Sequence, residues 1–321
     1  ARAAIADLVG ARAHEVAFVS GATEGLNLAL RALLRPGDRV LTTALEHSSV
    51  VRPLLALARE CSLTLDRLPP DASGGVDLAA AAAAVRTKPA LLVFTHASNV
   101  TGAVLDAAAL CELARAAGTR TLLDASQTAG HLDLRVGADV IVASGHKALH
   151  GPPGIGFVAA RGIALPSQKQ GGTGSSRALA THPEQWPDAF EAGTPNTPAI
   201  FGLLAAVQER PATVQAVELA ATLRRVDRLA QALRSIPGVR TFEPRTNQRV
   251  PVLSCVHERF DAAELGALLA TIDVHVRAGH HCAPWLHDHL GTAVGGTLRL
   301  SPGPATTDAD VDAVAAFLAG L

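Results

Sequence analysis

ADVIVASGHKALHGPPGIG, residues 138–156, is the stretch on which the fold turns. Val140 to Ala143 form an apolar, β-branched run without polar interruption, which suits a strand buried on both faces. The run ends in Ser144-Gly145-His146-Lys147, and a segment rich in glycine and proline follows. Open parallel sheets present their ligand-binding residues just past the carboxyl ends of the strands. Lys147 stands at such a place. Taken alone it is an ordinary surface lysine, so its meaning depends on what the other strands bring beside it.

Outward from this point, short β-rich runs at 16–19, 39–42, 91–95, 121–123, 140–143 and 155–158 alternate with helical stretches at 24–34, 49–60, 78–85, 107–117 and 217–233. That alternation predicts an α/β fold, a largely parallel sheet covered by helices. Past about residue 205 the texture changes. Runs at 250–256, 274–277 and 297–300, with helices from 262 and 308, predict a smaller C-terminal α+β domain. The expected division is therefore 1–205 and 206–321.

Composition excludes several function classes. With 321 residues, 48% apolar and 18% charged, the chain can bury a sizeable core and does not resemble a disordered one. A net charge of −1 with no basic block argues against nucleic acid or an anionic membrane as partner. No apolar run approaches the roughly 20 residues that span a bilayer. The four cysteines, Cys61, Cys111, Cys255 and Cys282, form no CxxC pair, and no secretory signal opens the sequence. Reduced thiols in a cytoplasm are the expectation. The sequence lacks methionine, so Ala1 is not expected to be an initiator-derived start, and further residues upstream are expected.

Five of the predicted strands lead into polar residues. Ser20-Gly21-Ala22-Thr23-Glu24-Gly25 leads into a helix, whose free N–H groups and dipole suit a phosphate monoester. The plain alternative is an N-cap formed by Thr23. Glu46-His47-Ser48-Ser49, His96-Ala97-Ser98-Asn99 and Asp124-Ala125-Ser126-Gln127 follow three more strands. A carboxylate can hold a pyridinium nitrogen protonated, an imidazole can stack on an aromatic ring, and an amide can reach a phenolic oxygen. A lysine can form a Schiff base with an aldehyde. Together these are the requirements of pyridoxal 5′-phosphate.

The order SGATEGLNLAL, EHSSVVRP, THASNVTGAVLD, LLDASQTAGHLDL, SGHKALHGPPGIGF and FEAGTPN resembles the class V aminotransferase superfamily. VRAGHHCAPW is similar to the cysteine loop of its cysteine desulfurase and selenocysteine lyase branch. The resemblance implies fold type I: a large cofactor domain with a mostly parallel seven-stranded sheet between helices, and a smaller C-terminal domain. It implies that Lys147 binds the cofactor aldehyde, Asp124 pairs with the pyridine nitrogen, Gln127 reaches the phenolic oxygen and His47 stacks on the ring. Asn99 would lie beside the cofactor or the substrate carboxylate. Ala22, Thr23, Ser144 and His146 would hold the phosphate, completed by Thr173 of a second copy in a homodimer. Arg299, with Arg277 near it, would bind the substrate carboxylate, for which a guanidinium fork is suited. The family also carries an LDNAAT-like stretch that would precede Ala1.

HHCAPWLHDHLG gathers His280, His281, Cys282, His287 and His289. Imidazole and thiolate are zinc ligands, but the spacing fits no recognised finger and no metal is expected. The resemblance implies that Cys282 is the nucleophilic thiol that takes sulfur from L-cysteine, or selenium from a related amino acid, and passes it to an acceptor protein. Besides a metal-binding module built on the histidine cluster, three rivals stand beside a cysteine desulfurase. One is another pyridoxal-dependent C–S lyase, such as a selenocysteine lyase, and another is an aminotransferase; neither needs Cys282. The third is a truncated, non-catalytic homologue that binds a full-length partner.

Overall fold

The computed structural model describes residues 1–174, 180–246 and 248–321. The last two residues of GGTGSS lie outside this set.

A seven-stranded sheet is built from β1 (Val16–Val19), β2 (Arg39–Thr43), β3 (Thr64–Leu68), β4 (Leu91–Thr95), β5 (Arg120–Asp124), β6 (Val140–Ser144) and β7 (Gly156–Ala160), in the order β1-β7-β6-β5-β4-β2-β3. Only β7 runs against its neighbours; the other pairings are parallel. The carboxyl ends of β1, β2, β4, β5 and β6 therefore share one edge.

The sheet's continuous apolar strands feed two cores, one per face, because successive side chains alternate. Val140 and Val142 pack with Leu26, Leu30, Val50 and Leu54 of α2 (Ala22–Leu33) and α3 (Ser48–Glu60). Ile141 and Ala143 face the other way, toward α1 (Arg2–Val9), α4 (Leu78–Val85), α5 (Ala107–Ala117) and α6 (Thr197–Glu209). Gly25 lets α2 lie flat on the sheet: a Cβ there would sit 2.8 Å from Val142 and 2.9 Å from Val158.

After α7 (Ala212–Arg234) the chain builds a four-stranded antiparallel sheet in the order β10-β11-β9-β8. Its strands are β8 (Val239–Phe242), β9 (Leu253–His257), β10 (Arg277–Gly279) and β11 (Thr297–Leu300). Alpha-helices α8 (Ala262–Ala270), α9 (Pro284–Leu290) and α10 (Asp308–Ala319) accompany it. The core beneath it is drawn from residues between Val226 and Leu318.

Several elements differ from the sequence expectation. Strand β3 was absent from it because Thr64-Leu65-Asp66-Arg67-Leu68 is a half-exposed edge strand carrying two charges, without an apolar run. The expected strand 274–277 begins only at Arg277, since Asp273 takes a left-handed turn at φ 59° just before it. Alpha-helices α1, α6 and α9 and strand β8 were also unforeseen.

Candidate active site

The parallel edge gathers most of the expected residues. Asp124 ends β5, is 4% exposed, and accepts the Ser126 N–H at 2.9 Å through Oδ1. No helix follows β5 for it to cap. His47 is the N-cap of α3, and its Nδ1 accepts the Ser49 N–H at 3.0 Å. An N–H can only donate, so Nδ1 is the bare nitrogen and a neutral His47 carries its proton on Nε2. Burial holds His47 below its ordinary range; the Lys147 and Arg299 cations act in the same direction and Asp124 against it.

Lys147 lines a cavity of about 330 Å³ together with Gln127, Ser126, His131 and Arg299. Burial lowers the pKa of its amine, reinforced by Arg299 and opposed by the charges of Asp124 and Cys282. A fraction of neutral, nucleophilic amine is thereby favoured.

At the start of α2 the N-cap is Gly21 and no side chain caps the helix. The Ala22 N–H donates to Ser144 Oγ at 3.0 Å. Thr23 is not a cap: its Oγ1 lies 2.8 Å from Ser49 Oγ, which in turn lies 2.8 Å from His47 Nδ1. The phosphate-type turn and the imidazole are thus joined by two hydroxyls, and Ser49 is a participant that the sequence did not single out. His146 is exposed beside Lys147.

The small sheet supplies the opposing wall. The Arg299 Nη1 donates to the Asn99 carbonyl at 3.1 Å, and Arg277 stands opposite Arg299 across the β10–β11 ladder. Burial lowers the Arg299 pKa, Arg277 adds to this, and the Cys282 sulfur opposes it. Cys282 is exposed. By contrast, burial pushes the thiols of Cys111 and Cys255 up to about 12, which leaves them inert. Cys61 is half-buried and packs against the second core. Among the described residues no group of three or more His, Cys, Asp or Glu side chains converges as a metal site. His280 and His281 each bring Nε2 to a backbone carbonyl, at 2.8 and 3.0 Å.

Thr173 lines a separate cavity with Thr181 and His182. Sequence reasoning also passed over Glu46, which is fully buried. Its Oε1 accepts from Thr43 Oγ1 at 2.6 Å and from the Thr95 N–H at 3.0 Å, while Oε2 has no partner. Burial, with the Asp124 charge nearby, pushes its carboxyl up to about 8. Its position directly before His47 was the only available signal.

The donor set fits pyridoxal 5′-phosphate. An amine of lowered basicity, a buried carboxylate at a strand end, a tautomer-fixed imidazole and an uncapped helix N-terminus occupy one edge, with Ser144 on that helix's first N–H.

Comparison with known proteins agrees with this class. The family described as aminotransferase class-V matches residues 1–314, and the chain belongs to that family. It is 36% identical to the "Probable cysteine desulfurase 2" of Mycobacterium leprae (strain TN), over 98% of this chain and 78% of that protein. It is 34% identical to a cysteine desulfurase of Serratia proteamaculans (strain 568), over 84% of this chain and 69% of that one. Among solved structures, the apo cysteine desulfurase of Thermococcus onnurineus NA1 superposes with a TM-score of 0.93 at 28% identity, covering 99% of this chain and 82% of that one. The Escherichia coli cysteine desulfurase CsdA gives 0.90 at 28% identity, over 99% and 81%. The architecture is fold type I.

Proposed function

We propose that this chain is a pyridoxal 5′-phosphate-dependent cysteine desulfurase in which Cys282 receives the sulfur. The observation that carries the reading is the exposed Cys282 thiol on a turn hydrogen-bonded to Ser48, next to His47, and to Asn99, whose own carbonyl accepts from Arg299. When bound, the cofactor supplies an aldehyde for the substrate amine and a conjugated ring that takes up the electron pair of the substrate Cα.

The chain's own residues do the rest. With the cofactor bound, Asp124 would pair with the ring nitrogen, Gln127 would reach the phenolic oxygen, and His47 would stack on the ring. Ala22, Thr23, Ser144 and His146 would hold the phosphate, and Thr173 of a second copy would complete that cradle in a homodimer. Arg299, with Arg277, clamps the substrate carboxylate; Asn99 stands behind this pair. Lys147 would hold the cofactor aldehyde in the resting enzyme and would take the proton from the substrate Cα and return one. The Cys282 thiolate then bonds to the substrate sulfur. The Cβ–S bond breaks with its electrons left on carbon, and protonation gives L-alanine. Enzyme thiol plus L-cysteine becomes enzyme persulfide plus L-alanine. An acceptor protein collects the sulfur at the exposed turn. Four free thiols suit a reducing cytoplasm, and among the described residues no helix is long and apolar enough to cross a membrane.

The test is a pair of variants. Lys147→Ala should lose the visible absorbance of the loaded protein. Cys282→Ala should keep that absorbance and lose sulfide release from cysteine by about 100-fold or more. Undiminished release from Cys282→Ala would overturn the assignment.

A further inference from the structure

The turn that carries Cys282 is held on three sides. His281 and Cys282 both adopt left-handed backbone conformations, at φ 49° and 57°. Residues with a side chain occupy that region at a cost, and persist there when their surroundings over-determine them. Here the surroundings are specific. The Asn99 side-chain amide donates to the His281 carbonyl at 2.6 Å, and the Ser48 N–H donates to the Cys282 carbonyl at 2.6 Å. On the far side, His281 Nε2 lies 3.0 Å from the Thr297 carbonyl and 2.9 Å from Thr297 Oγ1. A carbonyl only accepts, so Nε2 carries the proton and Nδ1 is left buried without a partner.

Two of these anchors belong to the large sheet. One is the loop after β4; the other is the first residue of α3, next to His47. The Asn99 amide nitrogen is thus engaged by the thiol turn, while its own carbonyl accepts from Arg299. A single buried residue ties together the substrate's carboxylate anchor and the backbone of the nucleophile.

We infer that Asn99 is a positioning residue for the sulfur-transfer step. Its amide fixes the strained Cys282 turn, and with it the thiol, against the loop whose Asn99 carbonyl holds Arg299, and Thr297 braces the same turn through His281. The inference deepens the desulfurase reading of Cys282 and rests on it. An asparagine that chiefly gripped the substrate would act on KM. One that aims the thiol acts after the substrate is bound, when the S–S bond forms.

Asn99→Ala and the equal-sized Asn99→Asp both remove the donated N–H. In the full chain loaded with pyridoxal 5′-phosphate, kcat for alanine formation should fall about 10- to 100-fold, because misplacing a reacting group by an ångström costs about that much. KM is read separately, because Asn99 also borders the carboxylate clamp; saturating L-cysteine should not restore the rate, and the visible absorbance should persist. Backbone hydrogen exchange at Ser48 and across 280–283 should speed up at least about tenfold, as local opening becomes easier. Unchanged exchange in the turn, a retained kcat, or a loss carried by KM alone would each overturn the inference. The exchange measurement needs no turnover, so a failure of the desulfurase reading, seen as full activity in Cys282→Ala, is distinguishable from a failure of this one.

Discussion

Glu46 concentrates the physics of the site in one side chain. It is fully buried with one oxygen unpartnered, and burial together with Asp124 moves its carboxyl from about 4.5 to about 8. The native state keeps the proton across a window in which the unfolded chain has released it. Native stability therefore falls as pH rises from about 4.5 to about 8, by about 1.4 kcal/mol per unit. Glu46→Gln removes this slope while preserving a similar shape, so its Tm should decline less than the parent's between pH 5 and 8. Identical slopes would show that the carboxyl is ionised in the native protein. Beyond its place directly before His47 the sequence carried no sign of this residue, because its burial and its closeness to Asp124 arise only when β2, β4 and β5 are side by side. The candidate groups at the sheet edge stand out more readily. Lys147, Asp124 and His47 each follow an apolar run, and their order along the chain carries the chemistry.

At the scale of elements, the loop from Ala97 to Val104 joins the two sheets. Ser254 Oγ of β9 donates to the Val100 carbonyl at 2.6 Å, and the Val250 N–H donates to the Gly102 carbonyl at 2.9 Å. Gly102 sits at φ +76°, and a Cβ there would meet the Val250 carbonyl oxygen at 2.8 Å. Gly102→Ala should lower stability by roughly 1–3 kcal/mol through strain and overpacking and weaken activity with it, read as a fall in Tm together with kcat. An unchanged Tm would show that the two sheets dock without this close approach. Strands of the large sheet were legible because both faces are buried and the apolar run is unbroken. The edge strand β3 and the helix α9 were not. The first shows charges to water, and the second is only seven residues long, too short to display a helical apolar repeat.

For the whole molecule, the buried histidines set the acid limit. Burial lowers His96 and His131 to about 4 and His281 to about 3. Arg210 reinforces the shift at His131, and Arg299 does so at His281. All three stay neutral in the native state while the unfolded chain takes up protons below about 6.5. The stability they contribute is present above that pH and is lost as pH falls toward 4. Acid unfolding should begin on this slope, with His96→Gln less sensitive between pH 6.5 and 4 than the parent; equal sensitivity would remove His96 from the account. Neither the partners of these rings nor the ties between the two sheets are legible in the sequence: the His96 and His281 partners lie 32 and 16 residues along the chain, on other elements, and the ties made by Ser254, Asn99 and Arg299 span 154 to 200 residues.

The central claim is that sulfur leaves cysteine for one particular thiol. Mass spectrometry of the loaded protein after a single turnover with L-cysteine tests it most directly. One added sulfur on the peptide containing Cys282, with one equivalent of L-alanine, is the expected result. Alanine formed while that peptide remains unmodified, in the absence of any reductant, would contradict it.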